Sequence, residues 1–194
     1  NSKTKAIVVV HYAGVACDMD AIMAISKEYN IPVVEDAAQA IDSYYKGKPL
    51  GSIGTFGTFS FHETKNIISG EGGLLAINDE QYIHRAEIIR EKGTNRSSFF
   101  RGEVAKYGWV DIGSSFLPSD IIAAYLYAQL ENMDTIQERR KAIWQRYYDK
   151  LSSALTNSGV RLPKILECAT NNAHMFYLVC ENLKQRTELI ETLK

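Results

Sequence analysis

Lys65 stands in the run Ser60-Phe61-His62-Glu63-Thr64-Lys65-Asn66, and Gly70-Glu71-Gly72-Gly73 follows closely. Upstream, the apolar pair Val33-Val34 leads into Glu35-Asp36-Ala37-Ala38-Gln39-Ala40. A lysine amine can condense with an aldehyde to a Schiff base and then carry protons as base and acid. A carboxylate at the end of a buried strand can keep a ring nitrogen protonated, so that the ring draws electrons from a carbanion. Lys65 and Asp36 together supply what pyridoxal phosphate chemistry asks of a protein. Each alone has a plainer use, since most lysines are solvated and an acid after a strand commonly serves a turn.

These residues need a frame. Residues 6–10 are a β-branched run that reads as a buried parallel strand. Residues 18–29 carry apolar side chains at Met19, Ile22, Met23 and Ile25, with Asp18 as N-cap, and read as a helix. Asn30 ends that helix and residues 31–35 form the next strand. The β-α-β order implies a parallel sheet with a right-handed crossover, whose ligands gather beyond the carboxyl ends of the strands. Asp36 and His11 lie at such ends.

Residues 55–61, with Phe56, Phe59 and Phe61, and residues 73–77 read as two more strands, with the Lys65 loop between them. Asn78 or Asp79 caps a helix to about residue 92. Residues 93–115 show little periodicity, and a loop of that length is usually functional or mobile. A long helical pattern starts at 118–120 and runs through 130. After a break near Asn132 it continues to about 155. A strand over 174–180 and a last amphipathic helix follow.

The chain has 194 residues and a net charge of -1, so no global basic field argues for nucleic acid or an anionic membrane. Three widely spaced cysteines, with no CxxC pair, read as reduced thiols and offer no metal site. No apolar run reaches the length of a membrane span. A cytoplasmic protein is expected, and the abrupt ends of the pattern suggest an internal fragment of a longer enzyme.

The pattern Ser-Phe-His-x-x-Lys-x-Ile followed by Gly-Glu-Gly-Gly resembles the DegT/DnrJ/EryC1/StrS sugar aminotransferases, a branch of the fold-type I pyridoxal phosphate enzymes. The resemblance covers essentially the whole chain. It implies an α/β fold of the aspartate aminotransferase type with a mainly parallel sheet. Residues 1–132 would be the C-terminal part of the large cofactor-binding domain. Residues 133–194 would be the linking helix and the beginning of the smaller α+β C-terminal domain.

By the same resemblance Lys65 and Asp36 are catalytic and cofactor-binding. Ser60 would hydrogen-bond the cofactor phosphate, Ala38 would pack on the ring face, and Gln39 would lie near the phenolic oxygen. L-glutamate is implied as amino donor, and a nucleotide-diphosphate keto-sugar as acceptor. The protein would be a homodimer with active sites at the interface. The runs at residues 61–70 and 91–102 look closest to members that aminate C4 of dTDP-4-keto-6-deoxy-D-glucose for enterobacterial common antigen. Lysine at 65, rather than the histidine of the family's sugar dehydratases, favours transamination.

Gly70, Gly72 and Gly73 read as turn residues with positive φ and Glu71 as structural; His62 and His11 are candidates for catalysis, although a lone histidine is more often a packing residue. The segment from Lys92 through Arg96 and Arg101 to Trp109 is a candidate basic and aromatic patch for a nucleotide. Ser115 stands where many relatives carry an asparagine that reaches across the dimer. The family's phosphate-binding turn and stacked aromatic are not found in this stretch, so weak cofactor binding is expected of it alone. Two other classes stay open: a nucleotide-binding α/β module, although no GxGxxG follows the first strand, and a non-catalytic fragment.

Overall fold

The computed structural model describes all 194 residues. Its centre is a four-stranded sheet in the order β1-β2-β5-β6. Strands β1 (Ile7–Val10), β2 (Val33–Asp36) and β5 (Phe56–Ser60) run parallel, and β6 (Gly73–Ile77) returns antiparallel to β5. The valine-rich β1 and β2 suit a pleated surface where β-branched side chains pack against their neighbours. The crossover between them is α1 (Met19–Tyr29), capped by Asp18, whose carboxylate accepts from the Ala21 N–H at 3.3 Å. Asn30 ends α1 in the left-handed region at φ 50°.

Register fixes which side chains share a face. Val10, Asp36 and Thr58 are partners across three strands. Side chains alternate along a strand, so Val8, Val10, Val34, Asp36, Thr58 and Ser60 project to one face. Ile7, Val9, Val33, Glu35 and Phe59 project to the other. The second face carries the core, in which Val9, Met19, Val33, Ala37, Ala40, Tyr45 and Leu50 cluster. Full burial of a side chain such as Met19 or Leu50 contributes about 1.5–3 kcal/mol. The Asp36 face is barer: Val8 is 64% and Val10 49% exposed.

Between β2 and β5 lies a hairpin the sequence pattern does not announce, β3 (Tyr44–Tyr45) with β4 (Lys48–Pro49). Lys46 and Gly47 form its tip with φ 48° and 78°, the left-handed pair that a two-residue hairpin turn demands. After β6, Asp79 caps a short 3₁₀ turn, Glu80–Tyr82, that leads into α2 (Ile83–Arg90).

The region 93–115 is not wholly loop. It contains α3 (Arg96–Phe100) and is tied back by the isolated bridges Thr94↔Trp109 and Glu91↔Ser115. Helix α4 (Asp120–Glu131) starts on the Ser119 cap, and α5 (Met133–Ala154) follows after a break at Asn132.

The expected strand over 174–180 does not form. Only an isolated antiparallel bridge between Val179 and Arg161 is made, because no neighbouring strand in this chain offers a ladder to pair with. Helix α6 (Leu183–Leu193) completes the chain. No helix is long and apolar enough to cross a membrane.

Candidate active site

Asp36 is the last residue of β2 and is half-buried at the carboxyl edge of the sheet. Its Oδ1 accepts from the Ala38 N–H at 3.1 Å, an Asx-type turn that swings the chain away from the strand end. Oδ2 makes no hydrogen bond within the chain. Ser60 lies on the neighbouring strand and on the same face, two residues past the level of Asp36. That is roughly 6–7 Å along the strand direction. Its Oγ accepts from the His62 N–H at 3.3 Å.

Lys65 sits in the loop that leaves this edge. Backbone bonds from Phe61 to Gly72, Ser69 to Phe61 and Glu63 to Gly70 pinch the loop at its base. Gly70, at φ 84°, makes the return turn. A further bond from the Lys65 N–H to the His62 carbonyl, 2.9 Å, holds the lysine's own peptide. The Lys65 side chain is half-buried, and no carboxylate pairs with its ammonium. Ala37 turns into the core, and Ala38, half-buried after the strand end, is small enough to let a flat ring approach the backbone.

Gln39 is turned toward the loop after β1, where its Oε1 accepts from the Ala13 N–H at 2.6 Å. Its amide nitrogen engages nothing in the chain. The sheet thus gathers Asp36, Ala38, Gln39, Ser60 and the Lys65 loop on one edge. The combination is a free carboxylate oxygen, a free amine, a hydroxyl and a flat apolar floor. Such a set fits a planar, anionic, aldehyde-bearing heterocycle.

Both histidines singled out above have local work. His11 is fully buried, with Nε2 2.9 Å from Glu35 Oε2 and Nδ1 accepting from the Cys17 N–H at 3.2 Å. That acceptance puts the ring proton on Nε2, which donates to Glu35. His62 Nδ1 lies 2.9 Å from Thr64 Oγ1 and organises the loop.

Glu35 carries weight that sequence reading missed. Its Oε2 also accepts from the Gly51 N–H, and its Oε1 from those of Ile53 and Gly54, at 2.6–2.8 Å. Burial pushes the Glu35 carboxyl up, but the hydrogen bonds from His11 and the three backbone donors outweigh it and hold the group below the usual range. The available signal was the period of two: Glu35 falls on the Val33 face, and an acid pointing into a core must be partnered.

Asn66, next to Lys65, is buried and bonds to three separate places. Nδ2 donates to Gln137 Oε1 and to the Asn172 carbonyl, each at 2.8 Å, and Oδ1 lies 2.9 Å from His174 Nδ1. Burial, then the charges of Lys65 and Arg140, push the His174 imidazole down to about 4. Sequence gave no sign of this cluster.

In the region 93–115 the basic patch is partly spent. Arg101 grips both oxygens of Glu87 at 2.9 Å and also reaches Glu103 at 2.6 Å. Arg85 pairs with Asp111, and Arg96 lies over the Phe100 ring at 5.2 Å. Trp109 is 82% exposed.

The sequence matches the profile of the DegT/DnrJ/EryC1/StrS aminotransferase family over residues 1–194. The chain belongs to this family. It is 35% identical over 199 residues to an uncharacterized protein of Methanocaldococcus jannaschii, MJ1066, covering 99% of this chain and 50% of that protein. It is 32% identical over 198 residues to the spore coat polysaccharide biosynthesis protein SpsC of Bacillus subtilis, covering 99% of this chain and 50% of that protein. The chain therefore spans about half the length of these curated relatives.

Among solved structures, the PLP form of the putative sugar aminotransferase Spr1654 of Streptococcus pneumoniae superposes with a TM-score of 0.82 at 28% identity. That match covers 100% of this chain and 53% of that one. The α/β fold with a mainly parallel sheet is that of the pyridoxal phosphate-dependent aminotransferases.

Proposed function

We propose that the protein of which this chain forms part is a pyridoxal phosphate-dependent sugar aminotransferase. It would move an amino group from L-glutamate to C4 of a nucleotide-linked 4-keto-6-deoxy sugar, with dTDP-4-keto-6-deoxy-D-glucose as the first candidate. The reading rests on the shared carboxyl edge of the sheet: Asp36, with one oxygen free, ends β2, and Lys65, with no carboxylate partner, lies in the pinned loop that leaves the neighbouring strand β5. The cofactor supplies an electron sink for the carbon losing its proton.

The residues of this chain divide the remaining work. Asp36 Oδ2 would accept a hydrogen bond from a protonated ring nitrogen, with the carboxylate plane fixed through Oδ1 by the Ala38 N–H. Lys65 Nζ would hold the cofactor, and its amine, when free, would act as the base and acid that moves a proton. Ser60 Oγ would donate to a phosphate oxygen. Ala38 presents a flat floor, and the free Gln39 amide offers a donor near the ring's edge. Residues 1–132 would belong to the cofactor-binding unit and residues 133–194 to the second unit. The working enzyme would be a cytoplasmic homodimer.

Support for the sugar class comes from the family and from SpsC, a polysaccharide biosynthesis protein. The runs at residues 61–70 and 91–102 support the specific keto-sugar and a role in enterobacterial common antigen synthesis. The test is to add pyridoxal phosphate to the full-length protein, reduce with borohydride and map the adduct by peptide mass. An adduct on Lys65, followed by glutamate-dependent amination of the dTDP keto-sugar, is expected. An adduct only on other lysines would remove the assignment.

A further inference from the structure

Asp42 begins a chain of forced hydrogen-bond directions that ends beside Lys65. A carboxylate accepts only, so Asp42 Oδ2, also held by Lys141 Nζ at 2.7 Å, takes its 3.1 Å bond from the Gln137 amide nitrogen. Gln137 Oε1 is then the atom facing Asn66, and it accepts at 2.8 Å from Asn66 Nδ2. The second Nδ2 hydrogen goes to the Asn172 carbonyl, which also accepts only. Both Asn66 donors are used, so Oδ1 must face His174, and His174 Nδ1 must be the protonated nitrogen. The tautomer is thus fixed by partners on four separate stretches of chain.

We propose that His174 is a positioning residue for Lys65 that acts through Asn66. Its Nδ1–H locks the Asn66 amide, and the locked amide sets where the lysine's backbone sits. The inference rests on the proposed role of Lys65.

Lys65 has a long flexible side chain, and its amine must return to one place after each release. Loss of about an ångström of placement can cost a reaction roughly a hundredfold. The peptide on one side of Lys65 is tied within its own loop, but Asn66 is tied to α5 and to residues 172–174, outside that loop. The same cluster secures those residues. Asn172 Nδ2 donates to the carbonyls of Gln39 and Ile41, and Arg140 donates to the His174 carbonyl at 3.0 Å. The charged groups around His174 are Lys65 and Arg140, with Asp42 and Lys141 beyond Gln137. Two neighbouring cations and burial keep the ring neutral near pH 7, the state in which it donates from Nδ1 alone.

The test uses the full-length enzyme with His174→Asn and His174→Leu. The asparagine can put its amide nitrogen where Nδ1 stood, whereas leucine has no donor. Two readouts apply: the rate at which pyridoxal phosphate and borohydride capture Lys65, mapped by peptide mass, and the pH midpoint of the bound cofactor's absorbance. His174→Leu should slow capture by about tenfold or more and shift the midpoint, while His174→Asn stays within about threefold of wild type.

Wild-type capture by the leucine variant overturns the inference. So does an asparagine variant as impaired as the leucine one, because the ring's other nitrogen would then be the active group. The ¹⁵N spectrum of the wild-type ring gives a check that needs no variant fold: an Nδ1–H tautomer is expected, and an Nε2–H tautomer overturns the proposal. Absence of any Lys65 adduct in wild type would instead remove the cofactor reading beneath it.

Discussion

Glu35 and Asp36 are adjacent in sequence and face opposite sides of the sheet. Glu35 is fully buried, with His11 and the 51–54 backbone as its partners. Asp36 is half-buried at the strand end and keeps one oxygen free. The pleat of one strand therefore turns two like side chains to different ends, one anchoring the scaffold and the other serving the candidate site.

Glu35→Gln should destabilise the protein by about 3 kcal/mol in urea unfolding. An amide offers one accepting oxygen where the carboxylate takes four bonds, and its NH₂ would confront backbone donors. The acid limb should change as well. The folded-state pKa of Glu35 is depressed, so its contribution is full above the unfolded glutamate value of about 4.3 and is lost as pH falls below it. That loss should be absent in the variant.

Asp36→Asn and Lys65→Ala should separate two roles in the full-length enzyme. Lys65→Ala should leave no borohydride-stable adduct at that position. Asp36→Asn should still form the adduct but lower the amination rate by about 10²–10⁴-fold, since an amide no longer stabilises a positive ring nitrogen. Equal loss of adduct in both would show Asp36 to be structural.

Gly14→Ala should cost more than Gly47→Ala. Both glycines have φ near 77–78°, which costs alanine about 1–2 kcal/mol. A Cβ on Gly14 would also lie 1.9 Å from Asn172 Oδ1 and 2.9 Å from the Gln39 carbonyl, whereas nothing lies within 4 Å at Gly47. Denaturation midpoints should rank wild type, Gly47→Ala, Gly14→Ala. A reversed order would contradict the close packing around Gly14.

His174 predicts a second pH effect. Its folded pKa of about 4 lies below the unfolded value of about 6.5, so the unfolded chain binds more protons between them. Stability should fall as pH drops from about 6.5 toward 4, and His174→Asn should flatten that slope. Urea midpoints at pH 7 and pH 5 for the two proteins measure it.

What could be read along the chain was local. The valine runs, the Asp18 cap, the helix start at 118–120, the break at Asn132 and the strand-loop-strand around Lys65 all lie within a few residues of the groups that cause them. Such short-range geometry is set by backbone propensity and hydrogen bonding between near neighbours. The lysine motif and the Asp36 strand end sufficed to suggest the chemistry.

Tertiary structure decided the rest. The expected strand over 174–180 needed a partner strand that local sequence cannot supply, and it made one bridge with Arg161 instead. The burial of Glu35 depended on which face the register turned inward. The Asn66 cluster joins residues 71, 106 and 108 positions apart. No periodicity spans such gaps, because those bonds exist only once the sheet, α5 and the later segment have packed and left their polar groups no water to turn to.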